Sequence, residues 1–351
     1  MNFKHVVFGF ILVLFTFLTG CNTQQQKVST SNENGTETTQ QEEGKQLKVY
    51  TTLYPLEDFT KKIGGEYVDV ESIIPPGSGA HTYEPTSKQM TTIAEADAFI
   101  YNGLGMEPFA EKMAKALDSE KVRMLEATHG IETIVHEGEE HGHEEEQHKD
   151  EEHAHEEDPH KGEEEEHSES DPDRHDHGDF DPHVWLDPYR AILLTENIKN
   201  TLVELKPDAK EEFEKNYESL KTEIEKLDKE FHQLVDSKED PEMIVSHAAY
   251  GYWEESYGIH QIAVAGLAPS DEPSQKALKK IIDMAHEKQI KYIIFEQNVT
   301  PKVAEVIRKE INAEPLHLHN LSVLTKEDRQ SGEDYFSLMR KNLETLDKAL
   351  K

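Results

Sequence analysis

Three histidines stand where an apolar, β-rich run gives way to a loop. His81 lies in GAHTYEPT, shortly after the run YVDVESII (67–74) and two prolines. His183 lies in DFDPHVWLDP, and His247 ends the run MIVSH (243–247). In open α/β sheets, ligands bind outside the carboxyl ends of the strands. A lone histidine at such a place would be packing or surface. Three at equivalent places are expected to converge on one point, where neutral imidazoles would hold a transition metal.

A second group of histidines has a different character. Between His136 and His177 the chain carries 10 His, 20 Asp or Glu and only 3 Lys or Arg. They are His136, His141, His143, His148, His153, His155, His160, His167, His175 and His177. Val135 closes the apolar sequence before this tract and Val184 reopens it. With no apolar side chains to bury, such a stretch cannot offset its ordering entropy, so a disordered loop over 136–180 is expected. A plain acidic spacer has no use for histidine, and short His-rich tracts read as metal binding. Ligands that nothing pre-organises give modest affinity, so the tract is expected to be an auxiliary metal loop.

These residues need elements to position them. Short β-rich runs recur at 47–53, 67–74, 98–102 and 122–125, with helical stretches over 58–63, 87–96 and 107–117. A second series follows, with strands expected at 243–247, 259–265, 291–296 and 314–318 and helices over 274–288, 301–311 and 335–350. Strands alternating with helices predict α/β lobes with largely parallel sheets. Between the two series, 187–205 and 207–235 both show helical spacing. In the second, Phe213, Tyr217, Leu220, Ile224, Leu227, Phe231 and Leu234 recur at steps of three or four. A helix of that length would span roughly 40 Å, enough to join two lobes as a rod.

The chain begins with a short positive start and an apolar run, Val6 to Leu18. That run has signal-peptide length and falls short of the ~20 residues a spanning helix needs. It ends in Leu18-Thr19-Gly20-Cys21, which resembles a bacterial lipobox, and Cys21 is the only cysteine. A lipidated Cys21 is therefore expected, followed by a flexible, polar tether to residue 46. The formal net charge of −35, about half of it from the tract, excludes a basic nucleic-acid surface. The expected organisation is a signal peptide (1–20), lipid site and tether (21–46), an N-terminal lobe (47–205), a linking helix (206–236) and a C-terminal lobe (237–351).

Taken together, GAHTYEPT, DPHVWLDP, SHAAYGY, the export signal and the acidic His tract resemble the zinc-specific solute-binding lipoproteins of bacterial ABC transporters. Their cluster also includes manganese-binding and adhesin-type lipoproteins. The resemblance runs from about residue 47 to 350. It implies two α/β lobes joined by one long helix, a metal in the cleft between them, and His81, His183 and His247 as ligands. It also implies a lipid-anchored monomer outside the cytoplasmic membrane that delivers Zn2+ to a membrane permease. Where the family often places an Asp or Glu in an L-D-P-L-like segment, this chain reads L-H-N-L. His319 is therefore the expected fourth ligand, with a carboxylate such as Glu84 or Glu296, or water, as the alternatives.

Imidazoles without thiolate suit Zn or Cu better than Mn, which prefers more oxygen. A manganese-binding or adhesin-type lipoprotein is one competing reading, and an exported zinc hydrolase is another, since three His plus water is also a catalytic arrangement. Against the hydrolase, H-E-x-x-H is missing and no general base accompanies the three motifs. Calorimetric zinc titration separates the two histidine groups. Deleting residues 136–177 should remove weak sites and leave one tight site; losing the tight site would mean that the tract is the binding site.

Overall fold

In the computed structural model, residues 45–117, 120–135, 180–297 and 301–351 are described. The signal segment, Cys21, the tether up to residue 44 and the ten tract histidines lie outside the described residues. The first lobe runs β1 (Leu47–Thr51), α1 (Tyr54–Gly64), β2 (Val68–Ser72), α2 (Ser87–Ala94), β3 (Ala98–Tyr101), α3 (Pro108–Ala116) and β4 (Arg123–Glu126). All its pairings are parallel, in the order β2-β1-β3-β4. Two helices follow, α4 (Pro188–Leu205) and α5 (Lys210–Val235). The second lobe runs β5 (Glu242–His247), α6 (Gly251–Tyr257), β6 (His260–Ala265), α7 (Gln275–Glu287), β7 (Tyr292–Glu296), α8 (Lys302–Glu310), β8 (Glu314–Leu318), α9 (Lys326–Ser331) and α10 (Tyr335–Ala349). Its sheet is also parallel, in the order β6-β5-β7-β8.

The two sheets thus share one wiring pattern. In each, the first strand is followed by a neighbour on one side and then by a strand on the other. The order reverses between β1 and β3 and again between β5 and β7, and ligand crevices open at such reversals. The central strands are buried on both faces, as parallel strands under helices must be. Val49, Phe99, Ile100, Ile244 and Val245 all have no exposed surface.

Helix α5 is long because its apolar stripe has two lobes to cover. Near its start Phe213 meets Tyr67 of the first lobe edge-on, with centroids 5.7 Å apart. Near its end Phe231 lies 5.3 Å from Trp253 and 5.1 Å from Tyr257, both on α6. The buried stripe closes on Val235 rather than on the expected Leu234, which is only partly buried. A step of four is needed there because the helix repeats every 3.6 residues.

The lobes are also tied directly. Tyr54 N–H donates to the Ser322 carbonyl and Gly77 N–H to that of Leu324, each at 3.0 Å. The Trp185 indole donates to the Asn320 carbonyl (2.7 Å), and the Tyr335 hydroxyl returns a bond to the Trp185 carbonyl (2.8 Å). One apolar cluster runs through both lobes and α5; a smaller one fills the space beneath α7 and α8.

Behind the first reversal point sits a buried carboxyl. Glu107 accepts from the Thr52 hydroxyl, from Asn102 N–H (3.1 Å) and from Gly103 N–H (3.1 Å). The tight turn between β3 and α3 that brings these donors round uses Gly103 at φ 92°, a conformation open to glycine. Burial pushes the Glu107 carboxyl up to about 7 against those three bonds. A raised native value means that the unfolded chain releases this proton first as pH rises. The group's stabilisation is therefore complete below about pH 4.5 and is lost as pH climbs through 7. Urea titrations of Glu107→Gln should show that part of the decline removed, on the order of 3 kcal/mol at most; an unchanged pH slope would contradict it.

Candidate metal centre

Each reversal point contributes a loop. β5 ends in His247 and its neighbour β7 ends in Glu296, so the two side chains leave the sheet side by side. Glu296 Oε1 lies 3.0 Å from His247 Nδ1. At the other reversal point, Asn102 follows β3 and its amide donates to the Pro182 carbonyl (2.9 Å). That bond holds the chain immediately before His183. His81 arrives from the loop after β2, in a short 3-10 turn over Ala80–Thr82.

The three histidines come together. One ligand atom from each of His81, His183 and His247 lies within 4.8 Å of the others. His81 Nε2 and His183 Nε2 are 3.2 Å apart. Two nitrogens on a tetrahedral zinc at the usual bond length sit about 3.3 Å apart, so this pair already has the spacing of one tetrahedron edge. His183 and His247 are each 1 % exposed, while His81 is partly open. Solvent and cargo would therefore reach the cluster from the His81 side.

The ring orientations are set by carboxylates. Asp181 Oδ1 accepts from both the His183 backbone N–H (2.9 Å) and Nδ1 (2.7 Å). A carboxylate can only accept, so the ring proton belongs on Nδ1 and the Nε2 lone pair faces the cluster. Glu296 does the same for His247, whose buried Nε2 has no hydrogen-bond partner among the described residues. An orphaned lone pair in a buried place is costly, and a cation is the partner it lacks. Burial alone would push the Glu296 carboxyl up. The facing His247 ring, the His183 ring and the Asn320 amide outweigh that and hold it below its ordinary value. Glu296 therefore brings a negative charge to the centre.

His319, the expected fourth ligand, lies outside this cluster of three. Its Nδ1 accepts from Leu321 N–H (2.9 Å), and its Nε2 lies 3.1 Å from Asp328 Oδ2. Both ring nitrogens are spent on the turn that leads into α9. Burial pushes this imidazole down against the pull of Asp328, leaving it neutral. The useful residue of the L-H-N-L segment is the next one. Asn320 donates to Glu296 Oε2 (2.6 Å) and is itself fixed by Gln297, whose amide donates to its Oδ1 (3.0 Å). Of the other carboxylates considered, Glu296 touches His247, whereas Glu84 is exposed on the loop after His81.

Asp181 and Asp187, which flank His183, divide two tasks between them. Asp181 orients the ring. Asp187 caps α4 by accepting from Tyr189 N–H (2.9 Å), and it pairs with Arg190. No spacing signal marks Glu296 as the partner of His247, or Asn320 as the partner of Glu296, because these contacts arise from strand order in a sheet.

Residues 49–349 match the family model described as the zinc-uptake complex component A, periplasmic. The chain is 36 % identical to the zinc-binding lipoprotein AdcA of Streptococcus pneumoniae (strain R6) over 336 residues, which are 94 % of this chain and 58 % of that one. It thus spans little more than half the length of those relatives. It is 34 % identical to the high-affinity zinc uptake system protein ZnuA of Bacillus subtilis (strain 168), over 92 % of this chain and 93 % of that one. Among solved structures, the Zn(II)-bound ZnuA-like domain of S. pneumoniae AdcA superposes with a TM-score of 0.67 at 32 % identity, covering 87 % of this chain and 99 % of the domain. The shared two-lobed architecture and the match over nearly all of the described chain mean that this protein belongs to the family of periplasmic zinc-uptake components.

Proposed function

We propose that the protein is the extracytoplasmic binding component of an ABC-type zinc uptake system. It takes up Zn2+ with His81, His183 and His247 and releases the ion to a membrane permease. The observation that carries this reading is the cluster of three imidazole nitrogens within 4.8 Å, two of the rings being turned toward it by buried carboxylates. The fourth position falls to an oxygen, either Glu296 turned from His247 or a water. The names of the relatives, zinc-binding lipoprotein and high-affinity zinc uptake protein, support the same cargo. Membrane attachment through Cys21 and action as a monomer complete the proposal.

Chemistry at the site argues for holding rather than turning over. Hydrolysis by a metal-bound water wants a general base within reach. The two carboxylates nearest the cluster are already committed to imidazole N–H groups. Zn2+ would be surrounded by three neutral nitrogens and one oxygen, and selectivity against Cu2+ cannot come from intrinsic affinity. It must come from the fixed tetrahedral spacing.

Competition against a chromogenic chelator tests the ligand set. Replacing His183 or His247 by Ala should weaken zinc binding by more than about 100-fold, beyond the usual loss for an outer-sphere partner. Asp181→Asn and Glu296→Gln should each cost about 10- to 100-fold. His319→Ala should stay within a few-fold of the parent. A loss for His319→Ala equal to that for His183→Ala would contradict the assignment.

A further inference from the structure

We propose that Gly251 is a positioning residue for metal capture: its missing side chain makes the space in which Asp181 holds His183. The inference rests on His183 being a ligand and adds a residue that touches neither the ligands nor the cargo.

Gly251 opens α6, four residues after His247. A Cβ built on it would lie 2.7 Å from Asp181 Oδ2 and 2.8 Å from Ile134 Cδ1, closer than real Cβ atoms come. Asp181 has no easy way to yield. Its N–H donates to the Ile134 carbonyl (3.0 Å), and its own carbonyl accepts from the Tyr252 hydroxyl (2.7 Å). Its Oδ1 holds both the backbone N–H and the ring of His183. With the backbone pinned on both sides, a displaced carboxylate must turn about its own side-chain bonds, and that turn carries Oδ1 away from His183 Nδ1. The Gly251 backbone lies outside the positive-φ region, so alanine fits the chain there and is the better helix former. The expected defect is therefore one of crowding at Asp181 and not of helix formation.

The same joint closes the neck of the acidic His tract. Val135 and Phe180 form an antiparallel bridge, and Ile134 and Asp181 are the next residues inward on either side. Gly251 thus lets three things pack at one point: the tract's two ends, the carboxylate that turns one ligand, and the helix that follows the loop bearing another. A substitution there disturbs the ligand geometry without removing any hydrogen-bonding group.

The test is a set of purified full-length variants read by zinc affinity and by the visible absorption of the Co2+-substituted protein. Gly251→Ala should bind zinc about 10- to 100-fold more weakly and show a changed Co2+ ligand-field spectrum. In an Asp181→Ala background, where the carboxylate is gone, adding Gly251→Ala should change affinity by less than about twofold, since the two sites act through one contact. Gly64→Ala is the control for crowding alone. Its Cβ would meet Val68 at 2.4 Å at the start of β2, the opposite end of the sheet from the ligands. It should lower the melting temperature and leave the Co2+ spectrum unchanged. Parental affinity and spectrum for Gly251→Ala would overturn the proposal, as would an equal loss in both backgrounds. If Gly251→Ala alone does not fold while the double variant does, the proposal stands; if neither folds, the crowding lies with Ile134 and the proposal fails. His183→Ala separates this from the ligand assignment, because parental zinc binding in that variant would refute the assignment itself.

Discussion

Three imidazole nitrogens lie within 4.8 Å of one another, and a cation shared between them is what such a cluster would favour. Left to themselves, two buried rings would turn or swap protons until each nitrogen found a donor. Here they cannot. Asp181 and Glu296 each hold an Nδ1 proton, so His183 and His247 turn their Nε2 acceptors toward the centre, where that of His183 meets His81 Nε2. Among the described residues the His247 Nε2 acceptor is left unsatisfied, a cost that a bound cation would relieve. Pre-organisation of this kind converts a set of common ligands into a tight site, because little remains to be ordered when the metal arrives.

Much of the fold serves to keep those two carboxylates still. Glu296 is held by Asn320, which is in turn held by Gln297 and whose carbonyl accepts from the Trp185 indole. Trp185 lies two residues after His183 and its ring packs 5.4 Å from that imidazole. One chain of contacts therefore links the ligand of one lobe to the carboxylate that orients the ligand of the other. The seam from Tyr54 to Ser322, from Gly77 to Leu324 and through the common apolar core makes the lobes a single packed body. The paired aromatic contacts of α5 brace that body along its length. Metal exchange is then expected to depend on local movement around His81, the partly open ligand, more than on a wide hinge.

The parallel α/β architecture was legible because its signals are local. Most strands are short β-rich runs, and each falls within two residues of its expected place. The clustering of His81, His183 and His247 was legible for a related reason, since each sits beyond a strand or a proline-bounded turn where such sheets bind things. What the sequence could not show is contact made by strand order. His247 and Glu296 lie 49 positions apart in the chain and meet only because β5 and β7 are neighbours. His319 illustrates the opposite case. Its residue type suited the metal, yet its ring is consumed by a local turn with Leu321 and Asp328. Gly251 carried no chemical signal at all, because its contribution is an absence of volume.

The central claim is a mononuclear site of three imidazoles and one oxygen, distinct from the acidic tract. X-ray absorption at the zinc edge tests it most directly, on protein lacking residues 136–177 and loaded with one equivalent of zinc. Scattering from three imidazole nitrogens and one oxygen, all near 2.0–2.1 Å, is the expected result. A first shell of four imidazoles, or an octahedral shell dominated by oxygen, would contradict it.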